Sequence, residues 1–402
     1  MRWCEFQSHV RHLPTADLQR VRKAFEMGKE AHCNQKRKSG QLYFTHPIAV
    51  AHLLADMGAD SDTIIAALLH DTVEDSSITI AQLNNEFDGS VPGLVDGVTK
   101  LSRDDIGENP TLEEETETLR KIFTFMQEDV RIMIIKLADR LHNMQTSEFL
   151  GKERQKSIAQ ETLDVYVKIA DRLCMRDLRD DLEEICISIL ESEKHKKLSE
   201  LKIKNEKIGN RIIANIINIL DKSHPSLLKK IQVKYEYKSW GKLDAQLESE
   251  GTAITGISFY TAVFIAKDIP GCYEVLGALH ENWQREKMSF EDYINTPMVN
   301  GYKGLHTTII LEDGTRVRCK IRTKEMDDYS HIGITAKCFD SEATGLLEYL
   351  PWTDRIATLS ADTTDRSAQF WASLQSDILG DTIAIHGTND KVISLPIGAT
   401  AL

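Results

Sequence analysis

The stretch that most constrains this chain is Ile64-Ile65-Ala66-Ala67-Leu68-Leu69-His70-Asp71-Thr72-Val73-Glu74-Asp75. An unbroken apolar run leads directly into a histidine and three carboxylates. If one helix continues through it, the 3.6-residue turn sets His70 over Glu74 and Asp71 over Asp75, so two polar pairs share a side. Ionisable groups crowded at the end of a buried run repel one another unless a cation lies among them, which makes the stretch a candidate metal site. Taken alone, a His-Asp pair at such a place is more often a solvated acidic turn after a core helix. The remainder of the chain decides between the two.

At 402 residues the chain is long enough for two or three domains. Its net charge of -13 leaves no basic excess to neutralise a phosphate backbone, so direct nucleic-acid binding is not expected. Small phosphorylated ligands stay open, because local Lys and Arg groups or a metal can hold them. The cysteines at 4, 33, 174, 186, 272, 319 and 338 are odd in number and lack C-x-x-C spacing, as expected of reduced thiols in the cytoplasm. With no signal-type N-terminus and no run of about 18 apolar residues, the chain reads as soluble and cytoplasmic, with no membrane partner.

The first half reads as nearly all helical. Residues 15–33 set Leu18, Val21, Ala24 and Phe25 on one stripe. The basic run Gln35-Lys36-Arg37-Lys38-Ser39-Gly40 ends in a turn signal and, alone, is a solvated loop. A helix over 48–57 follows, with Pro47 suited to its first turn, His46 at its start and Gly58 ending it. Ser77-Ile78-Thr79 caps a short helix through Phe87. The acidic stretch 103–117 reads as a mobile loop and 119–133 as a helix. After it, Ile134 to Met144 is a second apolar run that delivers an Asp, Asp139, with Asn143 one turn on. His46 as a helix-start residue and Asp139 as the partner of a neighbouring Arg each have a structural reading. Four such placements in one domain are harder to assign to coincidence.

T-H-P-I-A-V-A-H-L-L-A, A-A-L-L-H-D-T-V-E-D, L-V-D-G-V-T-K-L and I-K-L-A-D-R-L-H-N-M, in this order, resemble the hydrolase domain of the RelA/SpoT homologues. These are the stringent-response alarmone enzymes, and that domain belongs to the HD metal-dependent phosphohydrolases. The resemblance covers most of 15–146. It implies a cation, Mn2+, held by His46, His70, Asp71 and Asp139, with Glu74 and Asp75 as an activating acidic pair. It also implies an R-K-S-G element, Arg37, Lys38, Ser39 and Gly40, that meets the base and phosphates of the substrate, and an Asn143 that faces the ribose. Two imidazoles and two carboxylates leave positions open on a borderline-hard cation for water and a phosphate oxygen. The expected reaction is removal of the 3′-pyrophosphate of (p)ppGpp, giving GDP or GTP.

Residues 156–192 read as helical and resemble the family's connecting helices. Strands are expected at 254–265, 307–311 and 317–321, around a helix at 272–286, with Asp313-Gly314 as a hairpin turn. C-Y-E-V-L-G-A-L-H-E-N-W (272–283), D-Y-I-N-T-P (292–297), N-G-Y-K-G-L-H-T-T (300–308) and I-R-T-K-E-M (321–326) resemble the family's (p)ppGpp synthetase domain. The catalytic positions depart from it. Ala253 and Ser258 stand where the family has an Asp and an Arg, Arg318 where it has a Glu, and Met298 where P-K-x-N-G-Y has its lysine; Ser289 and Glu291 fit neither version of a short charged motif. Pyrophosphate transfer from ATP needs carboxylates to hold Mg2+ and activate the acceptor hydroxyl. The expectation is therefore a degenerate synthetase, inactive and regulatory. In it Asn300, Tyr302 and His306 either still hold a nucleotide or persist as packing.

The expected architecture is multidomain. An all-α HD-type hydrolase domain at 1–152 is followed by connecting helices at 153–194 and a mixed-sheet α+β synthetase-like domain at 195–347. A helical linker at 348–380, with a helix at 364–378, leads to a hairpin at 381–402 that resembles the start of a TGS domain. The chain is then expected to be part of a longer protein, whose other portion carries ribosome or regulator contacts. Two other functions stay open: an HD hydrolase of another 3′-pyrophosphorylated nucleotide such as (p)ppApp, and a non-catalytic nucleotide sensor.

Overall fold

The computed structural model describes residues 2–102, 124, 125, 128–243, 260–298 and 300–339, and the backbone of two strands near the C-terminus. Its contacts divide it into two units. One is built on Met1–Ala170 and takes in the short helix after Ile334; the other is Asp171–Gly333.

In the first unit α1 (Trp3–Phe6), α2 (Thr15–Ala31), α3 (Thr45–Asp56), α4 (Ser61–Leu69), α5 (Thr72–Asp75), α6 (Ile80–Glu86) and α7 (Val91–Ser102) precede a long α8 (Val130–Gln145). The hub is α4. It is apolar all round, with Ile64, Ile65, Leu68 and Leu69 fully buried against α2, α3, α7 and α8. Burying each such side chain contributes about 1.5–3 kcal/mol, which fixes the place where the end of the helix delivers His70. Gly28 lets α2 approach, since a Cβ there would stand 2.5 Å from the Phe44 ring and 2.8 Å from the Leu68 carbonyl. At the other end Asp60 caps α4 through the Thr63 N–H, 2.7 Å, and accepts from Arg131 at 2.8 Å. Arg131 also binds Asp129, the cap of α8, so one guanidinium ties the starts of both helices together.

Two expectations are corrected here. One helix does not run through 64–75: α4 stops at Leu69, the chain turns at His70 and Asp71, and α5 begins at Thr72. The turn is stabilised locally, because His70 Nδ1 and the Thr72 hydroxyl donate to the last free carbonyls, those of Ala67 and Leu69. Further on, the helix bearing Asp139 begins at Val130 and is continuous through Asn143, while 103–117 and 119–123 lie outside the described residues. The cap at Thr79 and the end of α3 before Gly58, whose φ is +80°, agree with the sequence. After α9 (Lys152–Glu161) a π turn at Thr162–Tyr166 sets Tyr166 against Arg140, guanidinium 4.1 Å from the ring centroid. α10 (Val167–Arg172) follows, so the helix expected over 156–192 is interrupted before α11 (Arg176–Leu190), with Cys174 at φ +58° in the break.

The second unit adds to α11 the elements α12 (Ser192–Ser223), α13 (Pro225–Leu228), β1 (Gln232–Tyr237), β2 (Tyr260–Ala266), α14 (Ile269–Asn282), β3 (Gln284–Arg285), β4 (Glu291–Asp292), β5 (Leu305–Ile310), β6 (Arg316–Thr323) and α15 (Lys324–Ile332). The sheet is mixed, in the order β1-β2-β6-β5-β3 with β4 also on β5; β2 and β6 are parallel and the other pairs antiparallel. Strand β1 was not foreseen from the sequence; α14 starts earlier than expected because Asp268 caps it, and it ends at Asn282, before 286. By the two-residue alternation of β6, Val317, Cys319 and Ile321 enter the core with Phe264, Ile216 and Leu279. Arg318, Lys320 and Arg322 face the other way.

A short α16 (Thr335–Cys338) packs on α8. Strands β7 (Thr382–His386) and β8 (Val392–Pro396) pair as the antiparallel hairpin expected within 381–402. Residues 254–259 and the helix expected at 364–378 lie outside the described residues.

Candidate metal centre and pockets

Four elements converge at the end of α4. His46 comes from the first turn of α3, His70 closes α4, Asp71 precedes α5, and Asp139 lies in α8. The side chains of His46, His70 and Asp139 are buried, with ligand atoms all within 4.8 Å of one another. Asp139 Oδ1 is 3.1 Å from His46 Nε2 and 3.9 Å from His70 Nε2. Asp71 stands beside both rings, 3.0 Å from His70 Nε2 through Oδ1 and 3.6 Å from His46 Nε2 through Oδ2, and the Tyr43 hydroxyl donates to that Oδ2 at 2.9 Å.

Hydrogen bonds fix both imidazole tautomers. His70 Nδ1 donates to the Ala67 carbonyl at 2.8 Å, which leaves Nε2, a buried atom with no hydrogen-bond partner, as the nitrogen that turns a lone pair inward once a cation displaces its proton. Asp71 Oδ1 is close to that nitrogen but out of hydrogen-bond direction. On the other ring, His46 Nδ1 is 2.7 Å from His142 Nδ1. Burial and the charge of His46 push His142 down to about 4, and Arg37 also approaches His142 Nδ1 at 3.4 Å. His142 is therefore neutral and accepts, His46 Nδ1 donates, and His46 Nε2 is the nitrogen left to face a cation.

The charges agree with that geometry. Burial opposes ionisation of His70, yet Asp71 raises it to about 9, while Asp71 itself, against the same burial, is lowered to about 2 by His70. Asp139 is held well below the carboxylate range by Lys136, 3.2 Å from its Oδ2, again in spite of burial. The cavity thus favours a positive charge at its centre. Two inward lone pairs and two carboxylates fit a divalent cation there.

His142, Lys136 and Tyr43 were not singled out from the sequence. The first two stand three residues either side of Asp139, a spacing that shares one helix face and could have flagged them. Replacing His142 with Leu should free His46 to take the wrong tautomer and weaken divalent-cation binding about 10–100-fold. His142→Asn, whose side-chain oxygen can accept in place of Nδ1, should recover most of the loss. Calorimetric titration of manganese into both variants checks this.

Beside the cluster lies a pocket of about 360 Å³ lined by Lys36, Arg37, Lys38, Ser39, Asn143 and Arg154, among others. Gly40, at φ +83°, closes the turn that carries the basic run inward. Arg37 donates to Asn143 Oδ1 at 3.4 Å and to Thr146 Oγ1 at 3.1 Å, while Asn143 Nδ2 donates to Asp139 Oδ1 at 2.7 Å. The basic run is therefore coupled to Asp139 through one amide. Glu74 and Asp75 lie on α5, both exposed, and desolvation together with the charge of Asp71 pushes Glu74 up to about 7.

In the second unit Asn300, Tyr302 and His306 come together in a pocket of about 450 Å³. The Tyr302 hydroxyl is 2.6 Å from His306 Nε2, and Asn300 Oδ1 accepts the Tyr302 N–H at 3.2 Å. Both rings are buried, with the Arg322 guanidinium 5.4 Å from the Tyr302 centroid and His306 pushed down to about 4 by burial. Arg176, Arg179, Lys242, Arg318, Lys320 and Arg322 also line this pocket.

Residues 24–176 match the HD domain, and residues 221–342 match the region found in RelA / SpoT proteins. The chain is 34% identical to a probable GTP pyrophosphokinase of Mycobacterium leprae, covering 98% of this chain and 51% of that protein. It is 32% identical to the GTP pyrophosphokinase rsh of Brucella melitensis, over 100% and 55% of the two chains. With the bifunctional (p)ppGpp synthase/hydrolase SpoT of Escherichia coli it shares 33% identity, over 97% and 56%. The chain belongs to the RelA/SpoT family. It spans about half the length of these relatives. No helix among the described residues is long and apolar enough to cross a membrane.

In this RelA/SpoT protein Arg318, Glu291 and Met298, three of the positions expected to depart from the family's synthetase pattern, line the second pocket. Arg318 is ion-paired with Glu291 and lies 3.2 Å from His306 Nδ1. The hydrogen bond from His306, followed by the charge of Arg318 against some desolvation, holds Glu291 down at about 2. Met298 is exposed, and buried Ser289 donates to the carbonyl of Glu286. Ala253 and Ser258 lie outside the described residues.

Proposed function

We propose that the first unit is a manganese-dependent (p)ppGpp 3′-pyrophosphohydrolase and that the second is an inactive synthetase retained for regulation. What carries the reading is the convergence of His46, His70 and Asp139 beside a pocket lined with cationic side chains. In the overall reaction water adds to the phosphorus esterified to the 3′-oxygen, the bond between them breaks, and the 3′-oxygen takes a proton as pyrophosphate leaves. A divalent cation bound by His46, His70, Asp71 and Asp139 supplies Lewis acidity toward a phosphate oxygen and a more acidic water. Glu74, whose pKa near 7 suits a base at neutral pH, takes the proton of the attacking water, with Asp75 beside it. Arg37 and Lys38 neutralise the polyphosphate, Ser39 adds a donor at the mouth, and Asn143 aligns Asp139 while its edge of the pocket receives the ribose.

The second half of the proposal is supported by Arg318, which cannot act as a general base and which already occupies Glu291. Two assays with the purified chain test the whole reading. Incubation with Mn2+ should release pyrophosphate from ppGpp faster than from ppApp, and ATP plus GDP with Mg2+ should give no ppGpp. Faster turnover of ppApp moves the substrate to the adenosine series; no turnover of either leaves a sensor; any synthesis refutes the inactive second unit.

A further inference from the structure

A second group of metal-ligand side chains lies outside the buried cluster. His52 and Asp56, four residues apart near the end of α3, meet His9 from the N-terminal segment. His52 Nε2 and His9 Nδ1 face each other at 2.7 Å with ring centroids 3.7 Å apart. Asp56 Oδ2 is 3.4 Å from the first nitrogen and Oδ1 is 3.5 Å from the second. His9 is held there by its neighbours, since Phe6 and Val10 are fully buried.

We propose that His9, His52 and Asp56 form a second divalent-cation site, of zinc type. Tetrahedral zinc with bonds of about 2.0–2.2 Å keeps its ligand atoms about 3.3–3.5 Å apart. The imidazole–carboxylate separations, each to a different oxygen of Asp56, are 3.4 and 3.5 Å, so bidentate ligation or a small turn of the exposed carboxylate meets that spacing, and the imidazole pair must open by about 0.6 Å. The two rings are only partly buried, 34% and 31% exposed in their side chains, so this adjustment meets little resistance. Without a cation the facing nitrogens must share one proton; with a cation both present lone pairs, and the protons sit on the outer nitrogens. Among the described residues no Lys or Arg pairs with Asp56 to compete for the site. Imidazole-rich sites favour zinc, nickel or copper over manganese, whereas the buried cluster has an extra carboxylate and Lys136 beside it. Occupancy fastens the N-terminal segment to α3, the helix whose first turn carries His46.

Equilibrium dialysis of the tag-free, metal-stripped chain against zinc chloride, with bound metal counted by mass spectrometry, tests the site. The wild type should hold two equivalents; His9→Ala and Asp56→Asn should each hold one; His70→Ala should also hold one. Zinc should slow proteolytic cleavage before residue 14 in wild type and His70→Ala, and leave it unchanged in His9→Ala. A single equivalent in wild type that persists in His9→Ala, two in both His9→Ala and Asp56→Asn, or none in His70→Ala would overturn the proposal. Manganese-dependent turnover should be unchanged in His9→Ala, so failure of this site is distinguishable from failure of the hydrolase reading.

Discussion

An Asp139→Ala protein should lose manganese-dependent pyrophosphate release from ppGpp by about a thousandfold or more, a loss of about 4 kcal/mol in transition-state stabilisation. Asp139 is buried and its two oxygens have separate tasks. Oδ1 faces both imidazoles and accepts from Asn143, while Oδ2 holds Lys136. Deleting the carboxylate removes a ligand and also one anionic contact of Lys136, itself buried at the cavity wall. An ammonium in that position repels the incoming cation, so the effect should exceed that of losing one ligand bond. Asp139→Asn separates the two contributions: it keeps the shape and an acceptor for Lys136 but not the charge, and its turnover should fall between those of wild type and Asp139→Ala. Pyrophosphate release across a manganese titration is the measurement, with circular dichroism as the check on folding. Full turnover in Asp139→Ala would end the assignment.

That experiment could be designed from the sequence alone, because the residues that define the site sit inside long apolar runs. Ile64 to Leu69 and Ile132 to Ile135 can only be core, so the polar residues that follow them must be delivered to fixed places. What the sequence did not disclose were interactions between segments far apart in the chain. His142 is adjacent to Asn143, yet its acceptor role toward His46 spans 96 residues. Arg131, which joins the caps of α4 and α8, likewise reads as an ordinary surface charge until Asp60 is brought to it. The break after Leu69 was also hidden, since the pattern of apolar residues continues to Val73 and only the side-chain bonds of His70 and Thr72 end the helix. In the second unit the two-residue period of Gln232 to Tyr237 is visible in the sequence, with Val233 and Tyr235 on the core side; what it hides is that the opposite, polar face buries Glu236 beside Arg322.

Glu236 is also the basis of the largest expected change in stability. Arg322→Met should destabilise Asp171–Gly333 by about 3 kcal/mol, the low end of the range for stripping a buried ion pair of one partner. The Arg322 side chain is fully buried, with Nη1 3.1 Å from Asp327 Oδ1 and Nη2 3.2 Å from Glu236 Oε2. Removing it leaves two buried carboxylates short of a partner. The cost stays near the lower limit because each keeps another cation: Lys234 lies 2.9 Å from Asp327, and Lys320 and Arg176 both reach Glu236. Glu236→Gln/Arg322→Met should recover part of the loss, since one unpaired charge is gone. The pH dependence has a definite sign. Burial works against the Glu236 carboxylate, but Arg322 and its neighbours hold its pKa far below the ordinary value of 4.5. Its contribution is therefore complete above about pH 4.5 and declines as pH falls toward the folded value. Arg322→Met shrinks that depression, so the gap between variant and wild type should narrow between pH 6 and pH 3. Hydrogen exchange of the β1, β2 and β6 amides reads this unit by itself; equal protection in the two proteins at pH 6 would show that the buried guanidinium contributes nothing.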